Sequence, residues 1–247
     1  MTTILDLLKA LADLVFPTRC AGCRLPGAAL CERCGWWLRQ PAQEVVPTPC
    51  PEGMPRCFAV TSYGGPPRAV LLAYKERGRH RLARSLGEAL ASAVLAGCPD
   101  RPVSQQSVRP QILLVPVPST AAAARARGGD HLRPLAAQVG RRLRANGQRC
   151  QVLDALVARP RPDSAGLSSA ERAANRSGAF AVRRSARAAL KQDCVVVIVD
   201  DLVTTGATLA EVSRVLTGAG AAPSHAAVVA ATVKRFAHIG SAVADAD

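Results

Sequence analysis

The sequence predicts an α/β fold in which a parallel sheet is flanked by helices and preceded by a small cysteine-rich module. Residues 195–199 are a fully apolar β-branched run, followed by a helical pattern and a second apolar run at the spacing of a β-α-β unit. Residues 112–117 form another short apolar run, typical of buried parallel strands, before a long Ala/Arg-rich helix. Two C-x-x-C pairs lie near the N-terminus.

The chain of 247 residues suffices for one substantial α/β domain and a small appendage. Residues 3–16 place apolar side chains on one face of a helix that ends at Pro17, and we expect this face to pack on the protein rather than on a membrane. We predict an N-terminal helix and cysteine module at residues 1–57, a main domain at residues 58–240 and a flexible tail at residues 241–247.

Strands and helices alternate along the predicted main domain. The predicted strands cover residues 58–63, 112–117, 151–157, 195–199 and 226–233. The predicted helices cover residues 69–77, 81–96, 133–145, 168–176 and 207–216. A Gly-Gly-Pro-Pro turn at residues 64–67 precedes the first helix, and residues 98–111 are expected to form an exposed loop.

The composition favours phosphate-bearing partners. A formal net charge of +14 creates a field that attracts nucleotides, sugar phosphates or nucleic acid, although an arginine-rich surface without a specific partner is the alternative. Aromatic residues make up only 3% of the chain, which argues against a base-stacking platform for single-stranded nucleic acid. No segment approaches the roughly 20 apolar residues of a membrane span, so we predict a cytoplasmic protein.

The strongest functional signal follows the apolar run at residues 195–199. Asp200 and Asp201 stand at the end of the predicted strand, where ligands bind in open α/β sheets. Residues 204–208, Thr-Thr-Gly-Ala-Thr, supply hydroxyls, a small residue and the free N–H groups of a starting helix, which suit a phosphate monoester. Adjacent carboxylates suit vicinal sugar hydroxyls, so the segment can hold both ends of a ribose 5-phosphate. The alternative is that these side chains merely cap the helix, but a cap needs only one of them.

Residues 197–209 resemble the motif with which type I phosphoribosyltransferases bind phosphoribosyl pyrophosphate (PRPP), and the wider chain resembles the ComF family. The wider resemblance rests on the cysteine pairs and on four further segments, at residues 74–78, 115–118, 127–128 and 171–180. It implies a type I phosphoribosyltransferase-like sheet behind a zinc-binding module.

The resemblance also implies roles for individual residues. Asp200, Asp201 and Lys75 are the expected catalytic residues, and Lys75 lies in the family-like Tyr-Lys segment. Mg²⁺ normally accompanies PRPP and takes most of its ligands from substrate oxygens and water. The residues expected to bind PRPP are Asp200, Asp201, Val203, Thr204, Thr205, Gly206, Ala207, Thr208, Pro118 and Ser119.

The turn after residues 112–117 matches the pyrophosphate site of such enzymes, although any strand-to-helix connection would look similar. Thr120 is a further candidate donor there. Departing pyrophosphate develops negative charge and calls for basic side chains. The candidates are Lys75, Arg125, Arg127, Arg159 and Arg161.

The chain departs from the family at two places. Residues 159–180 resemble the mobile loop that closes over PRPP and excludes water, but residues 163–165 are Asp-Ser-Ala where a Gln is common before Gly-Leu-Ser. Residues 129–131 are Gly-Asp-His in place of the usual Phe-Asn-Gln. The departures leave the acceptor open, and we interpret the four histidines, His80, His131, His225 and His238, as structural or exposed.

Cys20, Cys23, Cys31 and Cys34 form two C-x-x-C knuckles seven residues apart, which predicts one structural Zn²⁺ held by four thiolates. Disulfides or reactive thiols are the alternative, but a cytosolic chain is kept reduced. We interpret Cys50 and Cys57, which lack this spacing, as free thiols.

Two functions remain open from the sequence. The first is an enzyme that transfers phosphoribosyl from PRPP to an unidentified nitrogenous acceptor, or processes a nucleotide. The second is a non-catalytic accessory protein of DNA uptake and competence, which binds PRPP as a sensor or relic and contacts single-stranded DNA or a competence-machinery protein. The basic charge, the zinc module and the altered loop fit the second function. The module offers Arg19, Arg24, Arg33 and Arg39 with Trp36 and Trp37 as a surface for nucleic acid or protein, and packing of the two tryptophans beside the zinc site is the alternative.

Overall fold

The structure, a computed structural model, describes residues 18–98, 110–127, 129–159, 178–190 and 193–232. Several predictions fall outside these ranges: the helices at residues 3–16 and 168–176, the tail at residues 241–247, Arg161, His238, and most of the loops predicted at residues 98–111 and 159–180.

Helices and strands alternate along the described chain. The helices are α1 (Glu32–Trp36), α2 (Gly65–Glu76), α3 (Ala83–Ala96), α4 (Ala121–Ala126), α5 (Leu132–Ala145), α6 (Arg187–Leu190) and α7 (Ala207–Gly218). The strands are β1 (Gln43–Glu44), β2 (Cys57–Ser62), β3 (Gln111–Pro116), β4 (Cys150–Val152), β5 (Leu156–Ala158), β6 (Phe180–Val182), β7 (Cys194–Val203) and β8 (His225–Ala231). Short 3₁₀ turns cover Trp37–Arg39, His80–Leu82 and Arg184–Ala186.

The predicted α/β class with a parallel sheet is confirmed. Six strands form one sheet in the order β1-β2-β8-β7-β3-β4. All neighbours are parallel except β1 and β2, which pair antiparallel at one edge. The apolar runs become the central strands because both faces of the sheet are covered, and every residue of β8 is buried.

The order of the strands fixes the faces on which the helices lie. The crossovers β2-α3-β3 and β3-α5-β4 run in one direction along the sheet, whereas β7-α7-β8 runs in the other. Parallel crossovers are right-handed, so α3 and α5 share one face and α7 lies on the opposite face. The extensive packing of α3 against α5 agrees with this arrangement.

Two predictions of local structure are wrong. The strand predicted at residues 151–157 is divided: β4 ends at Val152, and β5 pairs with β6 in a separate antiparallel sheet. The break is a tight turn in which Ala155 N donates to Leu153 O at 2.7 Å. The turn does not interrupt the apolar pattern of the sequence, so the pattern predicted one continuous strand. The predicted Gly-Gly-Pro-Pro turn instead provides the first turn of α2, because proline at a helix start lacks only an N–H that would have no helical acceptor.

Candidate functional site

The candidate site lies where β3 and β7 end next to each other. These strands are neighbours, yet the crossovers that leave them run in opposite directions along the sheet. Such a reversal opens a crevice at the carboxyl ends of the strands, the usual ligand position in open α/β sheets. The register pairs Pro116 with Val199, so the turn after β3 faces the acidic pair that follows Val199.

The acidic pair lies inside β7 rather than after it, because the strand continues to Val203. Successive side chains of a strand point to opposite faces. Asp201 contacts Lys75, at the end of α2, and His131, just before α5. Asp200 lies on the opposite face of the sheet, the face that α7 covers. Ile198 shares this face with Asp200, and Cys57 does so too, because Ile198 and Cys57 both pair with Ala226 of the strand between them. The two carboxylates therefore have different surroundings.

Asp201 is surrounded by positive and polar groups. Its side chain is 5% exposed, and Lys75 Nζ donates to both oxygens, at 2.9 Å to Oδ2 and 3.2 Å to Oδ1. His131 Nε2 lies 3.3 Å from Oδ2. Burial alone would raise the pKa of Asp201, but His131 and Lys75 outweigh burial and hold the pKa well below its usual range. Asp201 is thus an ionised acceptor at neutral pH.

Asp200 has no such partner among the residues that the structure describes. Burial and the negative charge of Asp201 together raise the pKa of Asp200 well above its ordinary value, although its Oδ1 accepts the Asp201 backbone N–H at 2.8 Å. A group that is costly to ionise gains from a hydroxyl donor or a cation placed beside it. The free site is therefore prepared for such a ligand.

The predicted phosphate loop connects β7 to α7. Thr204, Thr205 and Thr208 are exposed, and Gly206 has φ of +73°. The first helical hydrogen bond runs from Ala210 N to Gly206 O at 2.9 Å, so the N–H groups before Ala210 lie outside the helical ladder. A helix start with free donors and exposed hydroxyls attracts a phosphate group.

The phosphate loop is packed against the segment between β1 and β2. A side chain added to Gly206 would collide with Met54 Sδ and lie 3.2 Å from Pro47 Cγ. Glycine is favoured here, because an added side chain would have to displace Met54 and the backbone is left-handed. The segment that follows the cysteine module thereby supports the loop.

The turn after β3 carries the predicted pyrophosphate residues. Pro118 and Ser119 are half-buried, and Thr120 Oγ1 accepts the Ala123 N–H at 3.2 Å as the cap of α4. Arg127 Nη2 donates to Ser119 Oγ at 3.0 Å, and its Nη1 lies 4.0 Å from Glu76.

The other basic candidates lie in different places. Arg159 lines an open pocket together with Thr120 of the β3 turn and Thr208 of the phosphate loop. Arg125 is exposed on α4. The structure thus brings Arg127 and Arg159 to the crevice, whereas Lys75 contacts the acidic pair.

His131 is the residue of the site that sequence reasoning missed. It is 8% exposed and contacts Asp201 across 70 residues of sequence, so no local pattern indicates the contact. The only hint of a special role was that His131 lies in the Gly-Asp-His segment at residues 129–131, where the sequence differs from the motif that it otherwise resembles.

The four knuckle cysteines come together as a candidate metal centre. Their sulfur atoms all lie within 4.8 Å of one another, close to the separation of about 3.8 Å that four sulfurs at 2.3 Å from a tetrahedral Zn²⁺ require. Gly22 permits the approach, because a side chain there would lie 2.6 Å from Cys34 Sγ. The donor set therefore fits zinc.

Backbone donors favour the thiolate form of Cys20, whereas burial and the neighbouring cysteines raise the pKa of Cys34 well above its ordinary value. Burial alone would raise the pKa of Cys20, but the backbone N–H groups of Cys31, Cys23 and Gly22 outweigh it and lower the pKa to about 6. Cys31 N donates to Cys20 Sγ at 3.3 Å. The thiolate is the form that binds zinc.

Residues 133–239 match the family model of the phosphoribosyl transferase domain. The matched part contains β7, the acidic pair, the phosphate loop and α7, but neither Lys75 nor the β3 turn. No curated protein matches the chain. In the described part of the chain, no helix is both long enough and apolar enough to cross a bilayer.

Proposed function

We propose that the protein binds PRPP in the crevice between β3 and β7 and transfers its phosphoribosyl group to a nitrogenous acceptor, as a ComF-type phosphoribosyltransferase. The observation that carries this proposal is the continuity of β7, the acidic pair, the phosphate loop and the start of α7 within a segment that matches the phosphoribosyl transferase domain. Every part of a ribose 5-phosphate has a complementary group along this segment.

In the proposed arrangement, the 5-phosphate lies at residues 204–208 and the ribose hydroxyls lie at Asp200 and Asp201. The pyrophosphate faces Pro118 and Ser119, with Arg127 and Arg159 close enough to balance its charge. Mg²⁺ would accompany the substrate and be bound mostly by pyrophosphate oxygens and water.

The reaction breaks the bond between C1 of the ribose and the pyrophosphate oxygen. A nitrogen of the acceptor forms the new bond to C1 and then loses its proton, and pyrophosphate leaves with the bonding electrons. Ionised Asp201 and the second carboxylate would stabilise the positive charge that develops on the sugar ring.

Calorimetric titration with PRPP and Mg²⁺ tests the binding step. We expect saturable binding by the wild type and none by the double variant D200A/D201A. Asp193→Asn is the matched control, because Asp193 is exposed just before the other end of β7. This variant should bind PRPP like the wild type. A wild-type protein that does not bind PRPP would refute the proposal.

Catalysis needs its own measurement. Pyrophosphate release from PRPP should rise above background for at least one member of a panel of nitrogenous bases. Binding without release for any base would favour the accessory protein over the enzyme.

One observation favours a second function, a competence accessory protein that contacts single-stranded DNA. Arg19, Arg24, Arg33 and Arg39 are all exposed around the cysteine centre. A gel shift should then show DNA binding that weakens steeply with salt and weakens further when Arg24 and Arg33 become alanine. Arg141 and Arg142, exposed on α5, provide the matched control pair.

A further inference from the structure

We propose that His131 is a positioning residue for ribose recognition: together with Lys75, it orients the Asp201 carboxylate toward the sugar hydroxyls. The inference rests on the proposed function, because it concerns the ribose part of the same site. It assigns a role to a residue that the sequence indicated only as structural or exposed.

The contacts form a closed network between α2, β7 and the start of α5. Lys75 holds the Asp201 carboxylate, and its neighbour Tyr74 donates its hydroxyl to the His131 backbone carbonyl at 2.6 Å. Two adjacent residues of α2 therefore fix both members of the His131–Asp201 contact. The contact is enclosed, since the two side chains are 8% and 5% exposed.

The imidazole ring has few other polar options. Both ring nitrogens are buried and neither makes a hydrogen bond within the part of the chain that the structure describes, but Nε2 lies 3.3 Å from Asp201 Oδ2, at ion-pair distance. The Tyr74 ring, with its centroid 6.3 Å away, packs at 67° to it and offers an apolar surface. Burying a polar ring is costly unless a polar partner compensates, and Asp201 is the partner that the described residues provide.

Counting acceptor positions shows what the network leaves for a ligand. A carboxylate has about four lone-pair positions, two on each oxygen. Lys75 uses one on each oxygen, and His131 faces Oδ2. Oδ1 thus keeps an acceptor position whose direction is fixed by the other contacts. Without His131, Oδ2 loses one of its two contacts, and Lys75 alone restrains the rotation of the carboxylate.

The expected consequence is a change in sugar selectivity rather than in phosphate binding. Ribose 5-phosphate and its 2,3-dideoxy analogue share the phosphate group and differ in the hydroxyls that the acidic pair would accept. Hydrogen bonds to a charged group make a preference of about tenfold or more for ribose 5-phosphate reasonable in the wild type. This ratio of affinities is insensitive to a uniform loss of stability.

The experiment measures this ratio by calorimetry for the wild type and four variants. We expect the ratio to fall at least about threefold in His131→Leu, which keeps the bulk but has no donor, and to collapse in Asp201→Asn. His131→Gln, whose amide N–H can still reach the carboxylate, should stay within about twofold of the wild type. His131→Asn is too short to reach Asp201 but is well tolerated at the start of a helix, so it replaces His131→Leu if the latter does not fold.

The outcomes separate the two proposals. A wild-type ratio retained in both His131→Leu and His131→Asn overturns the role of His131 while PRPP binding stands. A loss in His131→Gln as large as in His131→Leu also overturns it. If the wild type binds neither sugar phosphate, or binds both equally, ribose recognition at this site fails and the proposed function fails with it.

Discussion

Lys75 and Asp201 form an ion pair across 126 residues of sequence, with Nζ 2.9 Å from Oδ2 and 3.2 Å from Oδ1. The pair joins the end of α2 to the strand that carries the acidic pair. The Asp201 side chain is 5% exposed and the Lys75 side chain 26% exposed, so water screens the charges only partly. The same contact therefore contributes to the stability of the fold and to the charge of the site.

Replacing Lys75 with methionine should destabilise the protein. The variant keeps most of the aliphatic stem but leaves a buried carboxylate with His131 as its remaining polar neighbour among these contacts. Removing one partner of a buried pair costs about 3–5 kcal/mol, and the partial exposure of Lys75 lowers our expectation to about 1–3 kcal/mol. Urea denaturation measures this loss in the free energy of unfolding.

Arg84→Met is the matched control for this measurement. Arg84 pairs with Glu88 one turn along α3 at 3.5 Å, and the two side chains are 85% and 47% exposed. Such surface pairs contribute about 0.5 kcal/mol or less. An equal loss in both variants would show that burial does not strengthen the Lys75 pair.

Asp200→Asn should stabilise the ligand-free protein at neutral pH. Burial and the charge of Asp201 raise the pKa of Asp200, so the folded state keeps this proton to a higher pH than the unfolded state. The Asp200 contribution to stability then falls as the pH rises above about 4, the unfolded value, toward the raised folded pKa. Asparagine does not ionise and avoids this loss.

The measurement is the melting temperature at pH 4.5 and pH 7.5. We expect the variant to exceed the wild type by roughly 2–4 °C at pH 7.5, the change that about 1 kcal/mol produces in a protein of this size, and by less at pH 4.5. Asp193→Asn, just before the opposite end of β7, should change neither value. A variant less stable than the wild type at both pH values contradicts the prediction.

The parts of the fold that the sequence predicted well are those encoded locally. The central strands are continuous apolar runs because both sheet faces are covered, and the phosphate loop is one contiguous segment. The predicted helix at residues 133–145 matches α5 to within one residue at its start. In such segments, short-range pattern and tertiary environment agree.

The parts that escaped prediction depend on distant contacts or very short elements. His131 meets Asp201 only through the placement of α5 beside β7, and a lone histidine carries no periodic signal. Helices α1, α4 and α6 have five, six and four residues, too few for a helical period to be recognised. The division of residues 151–157 follows from a tight turn that leaves the apolar alternation intact.

Gly206→Ala should impair both the fold and the phosphate loop. The backbone at Gly206 is left-handed, which costs an L-residue about 1–2 kcal/mol, and the new methyl group would collide with Met54 Sδ. We expect a loss of about 2 kcal/mol in the free energy of unfolding and weaker binding of PRPP.

Two variants identify the cause of this loss. Gly218→Ala is the matched control, since no atom lies within 4 Å of the added group at the end of α7. The double variant Gly206→Ala with Met54→Ala makes room for the methyl group but not for the backbone, so it should recover only the steric part. Wild-type stability in Gly206→Ala would mean that the loop relaxes freely.

The cysteine centre should bind one zinc ion per chain and lose it on substitution of a knuckle cysteine. Cys34 is 1% exposed and its sulfur lies within 4.8 Å of the other three, so Cys34→Ser removes a ligand that no described neighbour replaces. Structural zinc contributes directly to folding, and its loss should lower the melting temperature and expose the module to proteolysis.

Metal analysis of the purified protein measures the zinc content, with Cys50→Ser as the matched control because Cys50 is exposed and stands outside the cluster. Equal zinc content in the two variants would exclude the four-cysteine centre as the binding site.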